Sequence, residues 1–409
     1  MTPASSTFAA LRAPNYRFYW IGLVFYVLGH RAEYVTIAWI TWELTRDPLA
    51  LAWLGFAQGA PLVVFQLVGG VLADRMNRLR LLIVTQILTA ITLTVAAVLA
   101  ALGLMSLPYL LALAAVSSTF RAFDEPSRLA LIPQIVERER LSNAIALGSI
   151  PWQAGRMIGP SITGILIAAF GGTIGLALAA IASYAALVMY ARLRLLHAMP
   201  PGDGHHVVRQ LADGLVFVAR DFVFLGLIGL ALFNAVFAVS YLTLLPIYAD
   251  DYFGTGSTGY GLLSAAHGTG SLTATLTLAT VIHRTRRPGV VLLIASVCLG
   301  VELIVFARST TMWLAVPVLI AVGFSNTFSL THMSTLLQQK VPDQLRGRVM
   351  SIYSLCWNLI PLGGLLAGAL AAAVDARFAV ALGGAMVAFN ALVLLSSRRL
   401  RAIRYDDWT

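Results

Sequence analysis

The chain has 409 residues, of which 59% are hydrophobic and only 11% charged, and its mean hydropathy is +0.82. A soluble domain carries about 25% charged residues, so the composition excludes an ordinary globular protein and belongs in lipid. The net charge of +10 does not point to nucleic acid, because the cations lie in small clusters between apolar stretches and form no continuous basic face.

A hydrocarbon core about 30 Å thick needs about 20 apolar residues per span, so this length supplies roughly a dozen spans. Met1 to Asn15 is short and polar, with no cleavable leader pattern, and the first span is expected to stay as an anchor. Apolar segments follow at 17–44, 49–73, 79–102, 109–135, 142–170, 173–191, 222–248, 258–282, 289–307, 312–337, 348–374 and 377–397. They predict an all-α integral membrane protein of twelve transmembrane helices.

The longest polar break, His197 to Asp221, holds Pro200-Pro201-Gly202-Asp203-Gly204 and a short amphipathic stretch from Val207 to Val218. It divides the chain into an N-terminal six-helix bundle (1–196), a cytoplasmic linker (197–221) and a C-terminal six-helix bundle with a cytoplasmic tail (222–409). At an offset of 205 residues, Gln134, Val136, Ser149, Trp152 and Gly159 recur as Gln339, Val341, Ser354, Trp357 and Gly364. Similarity at half the chain length indicates a parallel duplication, with the halves pseudo-symmetric.

Lys and Arg concentrate in alternate loops, among them Arg75, Arg78 and Arg80, then Arg128, Arg138 and Arg140, then Arg284, Arg286 and Arg287. The opposite loops hold only Arg46, Arg308 and Arg377, so both termini are expected in the cytoplasm and the protein in the inner membrane. Cys298 and Cys356 sit in apolar stretches without a CxxC and are expected to be buried and inert.

Gly70-Val-Leu72-Ala-Asp74-Arg75-Met-Asn-Arg78-Leu-Arg80 matches the loop pattern G-x-L-a-D-R-x-g-R-[KR], with Asn77 in place of a glycine. On this motif the chain resembles the major facilitator superfamily. The runs Arg121-Ala-Phe-Asp124-Glu125-Pro126, Leu131-Ile-Pro133-Gln134, Glu139-Arg140-Leu141-Ser142-Asn143-Ala144 and Val341-Pro342-Asp343-Gln344-Leu345-Arg346-Gly347-Arg348 are similar to an exporter branch. That branch includes enterobactin exporters, macrolide efflux pumps and lysophospholipid transporters.

The resemblance implies a cytoplasmic gate formed by Gly70, Asp74, Arg75, Arg78, Arg346 and Arg348, with Asp74 bonding the start of the eleventh helix. Topology alone would account for the arginines but not for Asp74. Gly155, Gly159 and Pro160 resemble the antiporter motif of helix 5, where small residues permit close packing. Two departures are Gly29-His30, where the branch has Gly-Asp, and the lack of the usual helix 4 arginine upstream of Arg121.

Other matches carry no chemistry. Gly254-Thr-Gly256-Ser-Thr-Gly259 has the dinucleotide spacing but no strand before it, Lys340 follows Gln339 rather than a Walker glycine, and His205-His206 is an exposed pair. Neither a cofactor nor a metal is expected, and an enzyme is not.

His30, Arg31, Glu33, Arg121, Asp124, Glu125 and Arg156 fall near the middle of helices 1, 4 and 5, with Gln153 beside Arg156. A charge at that depth costs about 2.5–3.5 kcal/mol, so these residues should face a cavity or one another. Structural ion pairs are the alternative to a substrate and proton cavity. On spacing, Asp124 and Glu125 both lie within reach of Arg121, while Glu33 depends on Arg31, which points to a different face two residues away; Glu33 is thus expected to be the least well paired acid and the first candidate for proton exchange. The second half adds Asn234, Tyr241, His267, Asn326, His332, Trp357 and Asn358 as a less charged wall.

The expected function is secondary-active, proton-coupled export of a small amphipathic compound, a siderophore or hydrophobic drug, by alternating access. The partners implied are the small molecule, protons and membrane lipid, with no nucleic acid, and the chain is expected to be a monomer. A lysophospholipid transporter is the nearest alternative, and a non-transporting receptor or scaffold is the alternative from another class.

Overall fold

The computed structural model describes residues 9–196, 215–281, 287–357 and 359–403, with the side chains of a few further residues left undescribed. The helices run in chain order as α1 (Pro14–Thr45), α2 (Pro48–Arg75), α3 (Arg78–Ala101), α4 (Leu107–Ile135), α5 (Leu141–Phe170) and α6 (Gly172–Tyr190). After 215–220, which is helical, come α7 (Phe222–Tyr252), α8 (Gly256–Val281), α9 (Pro288–Ala307), α10 (Met312–Lys340), α11 (Asp343–Trp357), α12 (Ile360–Ala373), α13 (Ala376–Ser396) and a terminal turn α14 (Arg398–Arg401). The described residues contain no strand.

Among the described residues, eight stretches are long and apolar enough to cross a membrane: the first part of α2, then α3, α6, α7, α9, α10, the α11–α12 stretch and α13. The protein is therefore an integral membrane protein. The helices outside that set include α1 and α4, whose central residues are charged.

Local chemistry sets the helix boundaries. Asn77, the departure from the loop motif, caps α3, its side chain accepting from the Arg80 amide at 3.0 Å. Asp221 caps α7, and Gly171, at φ 80°, separates α5 from α6 in a conformation that side chains rarely adopt. The expected span at 222–248 runs on to Tyr252 because two π-helical segments, Asn234–Ala238 and Tyr248–Tyr252, extend it. The expected span at 348–374 is divided between α11 and α12, with Pro361 in the first turn of α12.

By internal contacts the chain divides into two compact units, Met1–Leu44 with Ala60–Gly204, and Thr45–Gly59 with His205–Thr409. Helix α2 contributes to both. In the first unit, Tyr16, Tyr19, Val27, Leu131, Ile135 and Tyr190 belong to one buried cluster. In the second, Leu230, Leu336, Leu337, Val349 and the tail residues Leu400 and Ile403 share another.

Helix crossings are tight where a side chain is absent. A Cβ on Gly270 would lie 1.9 Å from the Ile320 carbonyl, and one on Gly323 would lie 2.1 Å from that of His267, so α8 and α10 meet backbone to backbone. Cys356 is buried as expected, whereas Cys298 is exposed, on the outward side of α9. An apolar span in lipid does not need to bury its small residues in protein, which is why hydropathy gave no warning.

Candidate functional site: buried charges of the first unit

Three helices build the site, and missing backbone bonds help to fix them. Pro151 in α5 has no amide to give the Leu147 carbonyl, and the Trp20 indole of α1 donates to that oxygen at 3.0 Å. Pro126 in α4 likewise frees the Ala122 carbonyl, and a Cβ on Gly69 would lie 2.4 Å from this oxygen. Glycine at 69 therefore lets α2 close on α4.

Gly155 and Gly159 serve the contact of α5 with α1. A Cβ on Gly155 would lie 2.4 Å from Val27 Cγ1, and one on Gly159 would lie 2.7 Å from Arg31 Cβ. Pro160 follows within the same helix.

On this frame Glu33 is buried, at 3% exposure. Its Oε2 accepts from Arg121 Nη1 at 2.7 Å, its Oε1 accepts from Ser117 Oγ at 2.7 Å, and His30 Nδ1 lies 3.9 Å from Oε2. The His30 ring stacks on Tyr26 and meets the edge of Trp152. The expectation that Glu33 is the least well paired acid is thus corrected, because Arg121 reaches it from α4.

A second pair lies one turn further along α4. Asp124 and Arg128, at 2% and 4% exposure, form an ion pair at the i,i+4 spacing, and the Arg128 guanidinium sits 3.6 Å over the Tyr26 ring. Arg128, assigned by sequence to a cytoplasmic loop, is therefore a buried residue of α4, which continues through Pro126 and Pro133 to Ile135. Asp124 pairs with it rather than with Arg121. Four arginines, Arg31, Arg121, Arg128 and Arg156, thus accompany three acids, Glu33, Asp124 and Glu125.

The surplus has a location. Arg31 lies with its guanidinium 6.0 Å from the Trp152 ring centre, its Nε is buried without a hydrogen-bond partner, and Arg156 is close enough to repel it. Neither has a carboxylate partner among the described residues. Glu125 is exposed at the surface of the unit, likewise without a described partner.

The second unit contributes the other polar residues expected to line a cavity. Tyr241 Oη and His267 Nδ1 are 2.7 Å apart, while His332 Nε2 lies 3.0 Å from the Pro288 carbonyl. Asn326 is buried, Trp357 packs edge-on to Tyr353, and Asn234 is buried with both side-chain polar atoms unpartnered. Sequence reasoning missed Glu302 in α9, whose Oε1 accepts from Ser325 at 2.9 Å and whose Oε2 is buried without a partner. A lone acid in the apolar run Gly300 to Ala307 was the available signal.

Of the expected gate, Arg78 Nη1 donates to the Ala130 carbonyl at 3.2 Å, tying α3 to α4, and Arg348 lies in α11. Gly70, Asp74 and Arg75 lie in the helical backbone of α2 and Arg346 in that of α11, but their side chains are outside the described residues, as is that of Gln153. Asn358 and residues 197–214 of the linker are also outside the described set.

The model of the family described as transmembrane secretion effector matches residues 5–408. The chain belongs to that family. This transmembrane secretion effector is a major facilitator transporter, not an enzyme.

It is similar to the staphyloferrin A transporter of Staphylococcus aureus, 23% identical over 83% of this chain and 85% of that protein. It is also similar to the multidrug efflux pump Tap of Mycolicibacterium fortuitum, 26% identical over 84% and 86%. The enterobactin exporter EntS of Escherichia coli is 27% identical over 85% and 83%.

Among solved structures, an inward-facing, occupied bacterial homologue of the human lysosomal transporter Spinster superposes with a TM-score of 0.74. It is 15% identical, and the match covers 95% of this chain and 99% of that one. The peptide transporter POT in complex with sulfate gives 0.71 at 14% identity, over 94% and 95%. These two likenesses establish the fold.

Proposed function

We propose that this transmembrane secretion effector is a proton-coupled exporter of a small, amphipathic, anionic compound, with a siderophore as the first candidate and an acidic drug as the second. The observation that carries the reading is the pair Arg31 and Arg156. Arg31 is half-buried and Arg156 exposed on the neighbouring helix, neither with an acid beside it among the described residues, and a cation at membrane depth costs free energy that a bound anion offsets. Trp152, next to Arg31, offers an aromatic face to the apolar part of the same compound. The siderophore and drug transporters among the relatives support that class of cargo.

On this reading twelve helices span the inner membrane in two six-helix halves, both termini are cytoplasmic, and the 70–80 segment with Arg346 and Arg348 closes the cytoplasmic side. Coupling requires an acid that gains and loses a proton in each cycle. An acid held by an arginine loses its ion pair on protonation, and an acid with no cation loses none. Glu33 and Asp124 are held, so Glu125 and Glu302 take precedence over Glu33.

Proteoliposomes holding the purified chain test the proposal, with radiolabelled catecholate and carboxylate siderophores, acidic drugs and cationic drugs, each with and without a pH gradient. Anionic cargo should accumulate against its gradient only when the pH gradient is present, and Arg31→Gln/Arg156→Gln should lose it. Preference for cationic drugs, unaltered by the double substitution, would refute the anionic site.

A further inference from the structure

The second unit carries a separate concentration of charge. Arg220 and Asp221 before α7, Lys340 at the end of α10 and Arg399 in α14 line a pocket of about 420 Å³, with Phe222 and Ile403 as apolar lining. Three cations share it with one carboxylate, and Asp221 Oδ1 already accepts from the Val223 amide at 2.7 Å as the cap of α7.

Packing fixes the walls. Leu400 and Ile403, on either side of the lining residue Ala402, are 2% and 3% exposed within the buried cluster of the unit. A Cβ on Gly289 would lie 2.1 Å from the Leu400 carbonyl, so the chain after α13 is seated directly on the start of α9. The cations therefore line an open pocket on a packed backbone rather than a free tail, with Arg220, Arg399 and Phe222 exposed and Lys340 half-buried.

We propose that this pocket binds a phosphate group, either the headgroup of an anionic phospholipid or a soluble phosphate. Two guanidinium forks and an ammonium supply donors on several sides of a tetrahedral oxyanion. Apolar residues at the same depth suit the glycerol and first methylenes of a lipid. The site would join the start of α7, the end of α10 and the tail, and it is independent of the cargo site proposed above.

Lys340 is the only lysine of the chain, which gives a readout that does not depend on transport. The full chain is placed in nanodiscs of phosphatidylcholine, or of phosphatidylcholine with phosphatidylglycerol. Acylation of Lys340 by a water-soluble succinimidyl ester is then followed by mass spectrometry at fixed ionic strength.

Protection by phosphatidylglycerol identifies a headgroup site, and protection by added inorganic phosphate in neutral lipid identifies a soluble phosphate site. In either case Arg220→Gln/Arg399→Gln should weaken the protection at least about ten-fold, since each charge near a surface contributes about 1 kcal/mol. Arg398→Gln, which removes an exposed charge outside the pocket, should preserve it. The single variant Arg220→Gln repeats the test if the double variant loses thermal stability. Equal acylation in all conditions, or the same loss with Arg398→Gln as with the pocket variants, overturns the proposal.

Discussion

Glu33 shows how a single residue takes its meaning from a partner that the sequence does not place nearby. Its carboxylate is shared among Arg121, Ser117 and His30, so removing its charge leaves the Arg121 guanidinium buried without a counter-ion. Breaking such a pair from one side costs about 3–5 kcal/mol, and removing both partners costs less. Glu33→Gln should therefore lower the thermal unfolding midpoint in detergent, and Glu33→Gln/Arg121→Gln should recover part of the loss. A double variant less stable than Glu33→Gln alone would show that the pair does not govern stability.

The acids without cations behave differently. Glu125→Gln and Glu302→Gln should leave folding nearly unchanged. At least one of them should abolish uphill transport driven by a pH gradient while sparing counterflow exchange of cargo, a separation measured in the same proteoliposomes. Uphill transport at the native rate in both variants would return the coupling role to the paired acids. The presence of buried charges was legible in the sequence because a charge within an apolar run is conspicuous. Their pairing was not, because Glu33 and Arg121 are 88 residues apart and only the docking of α1 on α4 joins them.

Among the elements, α5 was legible as a segment and as a packing helix, since Gly155, Gly159 and Pro160 announce close approach. Which helix it approaches was not legible, because a glycine pattern names no partner, and the structure supplies α1 through Val27 and Arg31. The bond from Trp20 to Leu147 was also invisible. Pro151 marks a missing amide, but not the indole that replaces it. Trp20→Phe should leave the Leu147 carbonyl unsatisfied at a cost of about 1–3 kcal/mol. In a Pro151→Ala background, where the residue 151 amide can reach Leu147 again, the same substitution should cost distinctly less. Equal losses in the two backgrounds, read by thermal unfolding, would show that the indole bond is incidental. Helix α7 illustrates the opposite difficulty, since its apolar run was plain and the two π segments that lengthen it have no comparable sequence mark.

At the scale of the whole molecule, the orientation rests on arginines, and the structure bears on the exceptions. Arg46 pairs with Asp250 and approaches Asp251 at 3.7 Å, and Arg377 lies 4.3 Å from the Tyr252 ring centre. Two of the three arginines assigned to the outer side thus have local contacts, which leave their charges in place, and the orientation rests on how few they are. The clusters Arg138 with Arg140 and Arg398 with Arg399 and Arg401 lie close together in sequence at helix ends and outnumber the outer arginines, although Arg140 also pairs with Glu137 at 3.4 Å. The orientation then predicts opposite labelling of two exposed positions, Glu139 before α5 and Thr310 between α9 and α10. In a Cys298→Ser/Cys356→Ala background, Thr310→Cys should react with a membrane-impermeant maleimide on intact cells. Glu139→Cys should react only after the membrane is permeabilised. Cys298 must be replaced first because it is exposed, and Cys356 because its buried thiol could emerge if the transporter changes conformation. The reverse pattern would place the termini outside and assign the basic clusters to the wrong face. Labelling of both positions on intact cells would indicate chains in two orientations, and the excess of arginines in the basic clusters would then be insufficient to fix the topology.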